Sequence, residues 1–333
     1  MNGNATMAAD GSMGSGDLWA VCAYYNPGGY GRRLANFRHF RAALGIPLLA
    51  VELSAGAFEL GAQDADIMVQ LRGETRMWQK ERLLNIGIEA LPASAAYVAW
   101  LDADGIFLDP DWHLHARDML AQSGGMVQPF DTLVHLGPDA PLPEPGRPRP
   151  EAEVLGRETS MAASIAAGGY RFGESVLRAR PSAFKPGGTT PEACGHAWVA
   201  RRGELFCGLL DILVTGLADL TMLLALAGEH EKVHALHRHP PGLRAAVAGW
   251  RARALESGLL ASARVVPGTL EHLWHGAIQN REYRARGCLL GRHGFDPGRD
   301  LVVTPDGLYA WREPEGPLAR AMEEHYRVRL EDG

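Results

Sequence analysis

The chain has 333 residues, of which 46% are hydrophobic and 22% charged, and its formal net charge is −6. This composition is typical of a globular protein with a sizeable core, and a negative balance with both signs interspersed argues against a nucleic-acid partner. No apolar run approaches the ~20 residues of a membrane span, the N-terminus lacks the features of a signal peptide, and the four cysteines form no CxxC, so we expect a cytoplasmic protein without disulfides.

Short apolar segments alternate with longer segments of helical periodicity in the first 130 residues. The predicted strands are 18–25, 47–53, 66–71, 96–101 and 126–129, and the predicted helices are 33–44, 77–91 and 112–122. Such alternation is typical of βαβ units. We predict an α/β fold over 18–333, in which helices flank a mostly parallel central sheet. Residues 1–17, rich in Gly, Ala, Ser and Met, are predicted to be disordered.

The amino-acid composition changes after Phe130. The segment "GPDAPLPEPGRPRPEAE" at 137–153 is too rich in proline for a core, and 155–194 is rich in Gly, Ala and Arg without clear periodicity. We interpret 131–194 as an insertion or lid within the single domain.

Three Asp-x-Asp triplets lie at 64–66, 102–104 and 109–111. One triplet by itself is most often a solvated turn or a helix cap, and Asp111 is interpreted as the N-cap of the helix at 112–122. The triplet at 102–104 differs because it ends a strongly apolar strand. Two carboxylates that lie close together at a buried strand end destabilise the folded state by repulsion, unless a cation neutralises them. Hard oxygen ligands suit Mg²⁺ or Mn²⁺, which keep positions open for phosphate oxygens.

Two histidines in "LEHLWHG" are candidate partners for such a metal. His272 and His275 are three residues apart, which on a helical turn places both rings on one face. A plain surface turn remains the alternative, because the chain has 13 histidines.

Two common motifs are missing. The glycine-rich "NPGGYGRR" after the first strand is not GxGxxG, which argues against a dinucleotide site. No GxSxG occurs, so a serine-nucleophile elbow is not indicated.

Three blocks, in this order, resemble the β-1,4-galactosyltransferases and their bacterial relatives. They are "MWQKERLLNIGIEAL…YVAWLDADGIFLDPDW", "GHAWVARRGELFCGLLDILVTGLADLTM" and "HLWHG". The resemblance covers about half of the chain and implies a GT-A-type nucleotide-sugar-binding fold. It departs from the family where the acidic cluster is reduced to "GLAD" and where the tryptophan of a mobile loop is missing.

The resemblance also implies roles for individual residues. Asp104 matches the metal-binding carboxylate and His275 the metal-binding histidine, whereas His272 stands where the animal enzymes have a methionine. The implied donor contacts are Lys80, Asp102, Asp104 and Asn26. Of these, Lys80 corresponds to the position that contacts the donor diphosphate.

Asp219 matches the general base that takes the proton of the acceptor hydroxyl. The alternative is an N-cap for the helix that follows. With one base and no assigned nucleophile, the resemblance implies a transfer that inverts the anomeric centre and depends on Mn²⁺ or Mg²⁺. The donor is expected to be a UDP-sugar that carries a hexose or N-acetylhexosamine, and the acceptor a carbohydrate or another hydroxyl compound. A non-catalytic nucleotide-sugar-binding homologue and a metal-dependent nucleotidyltransferase or hydrolase remain alternatives.

Overall fold

The computed structural model describes residues 6–7, 16–144, 147, 149–167, 189–259 and 264–332. The segment 1–17, predicted to be disordered, and the predicted lid at 131–194 therefore lie partly outside the described residues.

The strands of the described residues are, in chain order, β1 (Thr6–Met7), β2 (Leu18–Tyr25), β3 (Leu48–Ser54), β4 (Ile67–Arg72), β5 (Tyr97–Leu101), β6 (Gly105–Phe107), β7 (Met126–Gln128), β8 (Thr132–Leu136), β9 (Val154–Ser160), β10 (Thr189–Ala193), β11 (Ala197–Arg201), β12 (Arg264–Val265), β13 (Thr269–His272), β14 (Leu301–Val303) and β15 (Tyr309–Trp311). The central sheet has the order β1-β4-β3-β2-β5-β11-β7-β12. Its core β4-β3-β2-β5 is parallel, whereas β11 runs antiparallel to both neighbours. The predicted α/β class is confirmed, and all five predicted strands form within one residue of their predicted bounds.

The helices of the described residues are α1 (Gly31–Ala43), α2 (Lys80–Ala90), α3 (Trp112–Gln122), α4 (Met161–Ala166), α5 (Ala218–Leu226), α6 (His230–His237), α7 (Pro241–Glu256), α8 (Tyr283–Gly287), α9 (Leu289–Arg292), α10 (Pro297–Asp300) and α11 (Pro317–Arg327). The three predicted helices correspond to α1, α2 and α3. None of the helices in the described part of the chain has the length and apolar character that a membrane crossing needs.

Both faces of the central sheet are covered, as the alternating side chains of β2 show. Trp19 and Val21 belong to the core under α2, whereas Ala20 and Cys22 belong to the core on the opposite face. Helix α2 packs very close to the sheet at Gly87, where an added Cβ would lie 2.6 Å from Val21 Cγ1. Gly87, the glycine of the "LLNIG" block, thus allows close packing of α2 on the sheet. This packing positions Lys80, the first residue of α2, which lines the large cavity described below.

A second sheet, of order β10-β9-β8-β13-β6, adjoins the first. Strands β8 and β9 lie within 131–194, and all but the first residue of β9 belongs to 155–194, where the sequence showed no clear periodicity. The residues of β9 do alternate between buried and more exposed positions. Three of its buried positions are Gly156, Glu158 and Ser160, so an apolar alternation was not visible in the sequence.

The prediction that Asp111 is the N-cap residue of α3 is confirmed. Asp111 occupies the N-cap position of α3, but its side chain makes no capping hydrogen bond. Instead, the backbone N–H of Asp111 donates to Oδ1 of Asp109 at 2.9 Å, and Asp109 Oδ2 contacts the ring of His115. The local turn therefore uses the preceding aspartate.

Candidate active site

The site forms where β5 ends, because the register of the two sheets brings distant residues to that edge. Asp102 follows β5 directly, and Asp104 precedes β6. In the antiparallel β5–β11 pair, Leu101 lies opposite Ala197, so the residue before β11, His196, lies beside Asp102. The backbone N–H of Asp102 donates to His196 O at 2.7 Å.

The pairing of β13 with β6 brings the downstream histidines close to Asp104. His272 is the last residue of β13 and pairs with Gly105 of β6, next to Asp104. The N–H of Leu273 donates to Asp104 O at 2.8 Å. His275 follows in a loop, so the predicted helical turn is wrong, although both rings do reach the same carboxylate. The strand pairing, not an i to i+3 helical spacing, brings them together.

Asp104 is the centre of a group of possible metal ligands. Its Oδ1 lies 3.7 Å from His272 Nε2, and its Oδ2 lies 3.1 Å from His275 Nε2. One ligand atom each of Asp104, His196 and His272 lie within 4.8 Å of one another. Within the described residues, Asp104 Oδ1 and His196 Nδ1 are buried without a hydrogen-bond partner. Ligand atoms bound at right angles to one ion at ~2.1 Å lie ~3.0 Å apart, so these residues fit a divalent cation.

Protonation also suits metal binding. Burial by itself raises the pKa of Asp104, but the imidazoles of His272 and His275 outweigh burial and hold this pKa well below its usual value. Burial lowers the pKa of His272 well below its usual value and that of His275 to about 4. At neutral pH a carboxylate therefore faces neutral imidazoles, which is the state that metal ligation requires.

The two predicted ligand histidines are not equivalent. Arg281 Nη2 lies 2.9 Å from His275 Nε2. A guanidinium only donates hydrogen bonds, so this ring nitrogen accepts. A metal would have to displace Arg281 to use it. His272, by contrast, lies with His196 around Asp104.

His196 was not identified from the sequence. Its backbone φ is +73°, which lies in the left-handed region. For a residue other than glycine this conformation raises the energy by about 1–2 kcal/mol. The side chain is 18% exposed, and its Nδ1 also lies 3.9 Å from Asp102 Oδ2. The available signal was its place beside Gly195 at the start of the second block, where a turn had to precede β11.

Lys80, the first residue of α2, joins the other two predicted carboxylates. Its Nζ lies 3.0 Å from Asp102 Oδ1 and 3.0 Å from Asp219 Oδ2. Burial lowers the pKa of Lys80, but Asp102, Asp219 and Glu81 outweigh burial and raise it well above its usual value. Lys80 is thus a permanent cation that holds the two aspartates together.

A sharp turn delivers Asp219 to this cluster. Gly216 and Leu217 both have positive φ, +86° and +70°, immediately before α5. Asp219 is the second residue of α5 and not its N-cap, which is Leu217. A Cβ at position 195 would lie 3.0 Å from Asp219 Oδ2, so Gly195 leaves the room that the carboxylate needs. The capping alternative is therefore wrong for Asp219.

Glu81 is a further acidic group that the sequence did not single out. Its side chain lies 3.6 Å from Lys80 Nζ and is 6% exposed. Burial raises the pKa of Glu81 to about 8, although Lys80 opposes this rise. A carboxyl group with such a pKa can hold a proton near neutral pH, beside the Lys80–Asp219 pair.

All of these groups line one cavity of about 810 Å³, which Arg281 and the buried Arg286 also line. Arg286 is 3% exposed, and its guanidinium stacks 4.6 Å from the ring centre of Trp78. Burial, together with Arg329, lowers its pKa to about 10. Within the described residues, Nε of both Arg286 and Arg281 is buried without a hydrogen-bond partner. These two guanidinium groups therefore place positive charge in one part of the cavity wall, where an anionic ligand would pair with it.

The C-terminal segment closes one side of this cavity. Glu331 pairs with Arg33 at 2.5 Å and lies 3.8 Å from His275 Nδ1. The chain passes so close to Gly276 that an added Cβ there would lie 2.6 Å from Leu330 O.

Asn26 is the one predicted site residue that does not join the others. Its Nδ2 donates to Glu59 Oε2 at 2.8 Å, and its Oδ1 accepts from the N–H of Tyr30 at 2.9 Å. These bonds organise the loop between β2 and α1, and Asn26 does not line the cavity.

No family model matches the chain, and no curated protein matches it. Three solved structures are similar to it in part. The catalytic domain of Drosophila β1,4-galactosyltransferase 7, in complex with xylobiose, is 12% identical over 91% of this chain and 98% of its own, with a TM-score of 0.37. TarS 1–349 of S. aureus is 10% identical over 62% of this chain and 53% of its own, with a TM-score of 0.32.

The third is a 4-diphosphocytidyl-2C-methyl-D-erythritol synthase from Anaerococcus prevotii. It is 14% identical over 37% of this chain and 56% of its own, with a TM-score of 0.23. This chain thus spans little more than half the length of TarS 1–349 and of the synthase. At these identities and TM-scores the likenesses carry no argument about activity.

Proposed function

We propose that the protein is a metal-dependent, inverting glycosyltransferase of GT-A type, which transfers a hexose or N-acetylhexosamine from a UDP-sugar to a hydroxyl acceptor. The observation that carries the proposal is the sharing of one cavity by a group of metal ligands and a lysine-bridged pair of carboxylates. The first group suits a diphosphate with its cation, and the second supplies a fixed proton acceptor.

The proposed metal ligands are Asp104, His272 and His196, with His275 beside them. Two or more imidazole nitrogens next to one carboxylate favour Mn²⁺ over Mg²⁺, whose usual ligands are oxygens. When bound, such an ion neutralises charge that develops on the leaving diphosphate. Arg281 and Arg286 are proposed to add to this neutralisation, because both line the cavity and, in the described part of the chain, Nε of each is buried without a hydrogen-bond partner.

The proposed chemistry is a single displacement. The acceptor oxygen forms a bond to the anomeric carbon while the bond from that carbon to the diphosphate oxygen breaks, and UDP leaves. Asp219 takes the proton of the acceptor hydroxyl. Lys80 keeps the Asp219 carboxylate in place through the 3.0 Å contact, and one displacement with one base inverts the anomeric centre.

The experiment that tests this proposal is a thermal-shift screen followed by a donor-turnover assay. UDP with Mn²⁺ is expected to stabilise the protein by ~2.7 kcal/mol at 100 times its Kd, and EDTA is expected to remove the effect. Asp104→Asn should lose both the stabilisation and UDP release from a UDP-sugar. Stabilisation by nucleoside triphosphates but not by UDP would support the nucleotidyltransferase alternative instead. Metal-dependent UDP binding without turnover of any UDP-sugar would support a binding homologue.

A further inference from the structure

A second group of possible metal ligands lies on α6, outside the proposed transfer site. The first five residues of α6 read His230-Glu231-Lys232-Val233-His234, which is the spacing H-E-x-x-H. In a helix, residues four apart lie on one face, and two histidines so placed can hold one ion. One ligand atom each of His230, Glu231 and His234 do lie within 4.8 Å of one another.

The nitrogens of this group are buried and in part unused. His234 is 3% exposed, and its Nδ1 lies 2.9 Å from Nδ1 of His239. In the part of the chain that the structure describes, His234 Nε2 and His230 Nδ1 are buried without a hydrogen-bond partner. A bound cation would give each of these nitrogens the partner that it lacks.

His239 also supplies the support that a ligand histidine usually has. A histidine that binds a metal through one nitrogen donates the other N–H to a neighbour, which fixes its tautomer and orientation. Here Nε2 of His234 would bind the ion, and Nδ1–H would donate to His239.

We propose that His230, Glu231 and His234 form a binding site for a transition-metal ion of the zinc class, distinct from the site at Asp104. Two imidazoles and one carboxylate are a ligand set that suits Zn²⁺. The ion would tie the first turn of α6 together. The last turn of the same helix contributes Leu236 and His237 to the wall of the large cavity.

The same spacing occurs in zinc peptidases, where the glutamate acts as a base in a substrate cleft. The surroundings of Glu231 do not suit that role. Its side chain is 63% exposed and lies 2.5 Å from Arg244 Nη2 of α7. None of the three proposed ligands lines the large cavity. The structure thus favours a stabilising ion over hydrolysis, and binding would exchange the contact with Arg244 for the metal.

The test is the zinc content of the full-length protein after removal of metals and dialysis against Zn²⁺. The unaltered protein is expected to bind two equivalents, one at each site. His230→Gln, at a half-buried position, should bind one and keep Mn²⁺-dependent UDP binding. His293→Gln, an exposed histidine on another helix end, is the matched control and should bind two.

Cobalt(II) provides a second readout, since His230→Gln should remove the visible absorption that belongs to this site alone. Two zinc equivalents in His230→Gln, or unchanged cobalt spectra, would overturn the proposal. The outcome is independent of the transfer reaction, because His272→Gln is expected to remove the other equivalent. A protein that loses its zinc in His272→Gln but not in His230→Gln would therefore contradict this site and leave the proposed glycosyl transfer intact.

Discussion

Replacing Asp219 by Asn separates its chemical role from its structural one. Asn has the same shape, and its Oδ1 can still accept a hydrogen bond from Lys80 Nζ, but it cannot take a proton. Lys80 also keeps Asp102 at 3.0 Å and Glu81 at 3.6 Å. Because Asp219 and Lys80 are each about 20% exposed at the side chain, we expect a stability cost below ~1.5 kcal/mol.

The kinetic cost should be larger. General base catalysis contributes ~10²–10⁴-fold, which corresponds to ~2.7–5.4 kcal/mol in the activation free energy. Binding of UDP with Mn²⁺ should stay normal, because the proposed metal ligands lie around Asp104. The pattern expected for Asp219→Asn is therefore a low turnover at saturating donor with an unchanged Kd for UDP.

The assay is release of UDP from a UDP-sugar with Mn²⁺, with water as the acceptor, together with a UDP titration. Asp211→Asn is the matched control. Asp211 is also ion-paired and 14% exposed, at 3.2 Å from Arg82, but it does not line the cavity. It should lose some stability and keep its turnover. Turnover of Asp219→Asn within about threefold of the unaltered protein would remove Asp219 from the mechanism.

Three further predictions concern the metal, the room around the base and acid stability. His196→Ala should weaken Mn²⁺ binding ~10-fold or more in a titration, whereas unchanged affinity would exclude His196 as a ligand. Gly195→Ala should lower turnover with little change in Mn²⁺ affinity, because the added Cβ would lie 3.0 Å from Asp219 Oδ2. Full activity of this variant would show that the carboxylate can shift. Burial lowers the pKa of His325 to about 4. Between pH ~6.5 and 4 the unfolded chain therefore binds more protons than the folded chain. The free energy of unfolding should fall by up to ~1.4 kcal/mol per pH unit as the pH drops through this range. Urea unfolding at pH 7 and 5 measures this fall, and His325→Gln should reduce it; an equal fall in both proteins would contradict the reasoning.

Local patterns in the sequence were sufficient for the first half of the fold. Strands β2 to β5 and helices α1 to α3 are apolar segments with clear periodicity, and such periodicity follows from which side of an element is buried. The position of Asp102 and Asp104 at a strand end could be predicted for the same reason, since both follow directly on β5. Strand β9 could not be predicted, because its buried positions include Gly156 and Glu158.

The rest of the site depends on pairings between distant segments, which no local pattern records. His196 lies beside Asp102 only because β11 is antiparallel to β5, with Ala197 opposite Leu101. His272 lies beside Asp104 only because it pairs with Gly105. Sequence composition identifies which side chains can bind a cation or a proton. The strand register decides which of them meet, since a shift of one residue would turn each side chain to the other face of its sheet.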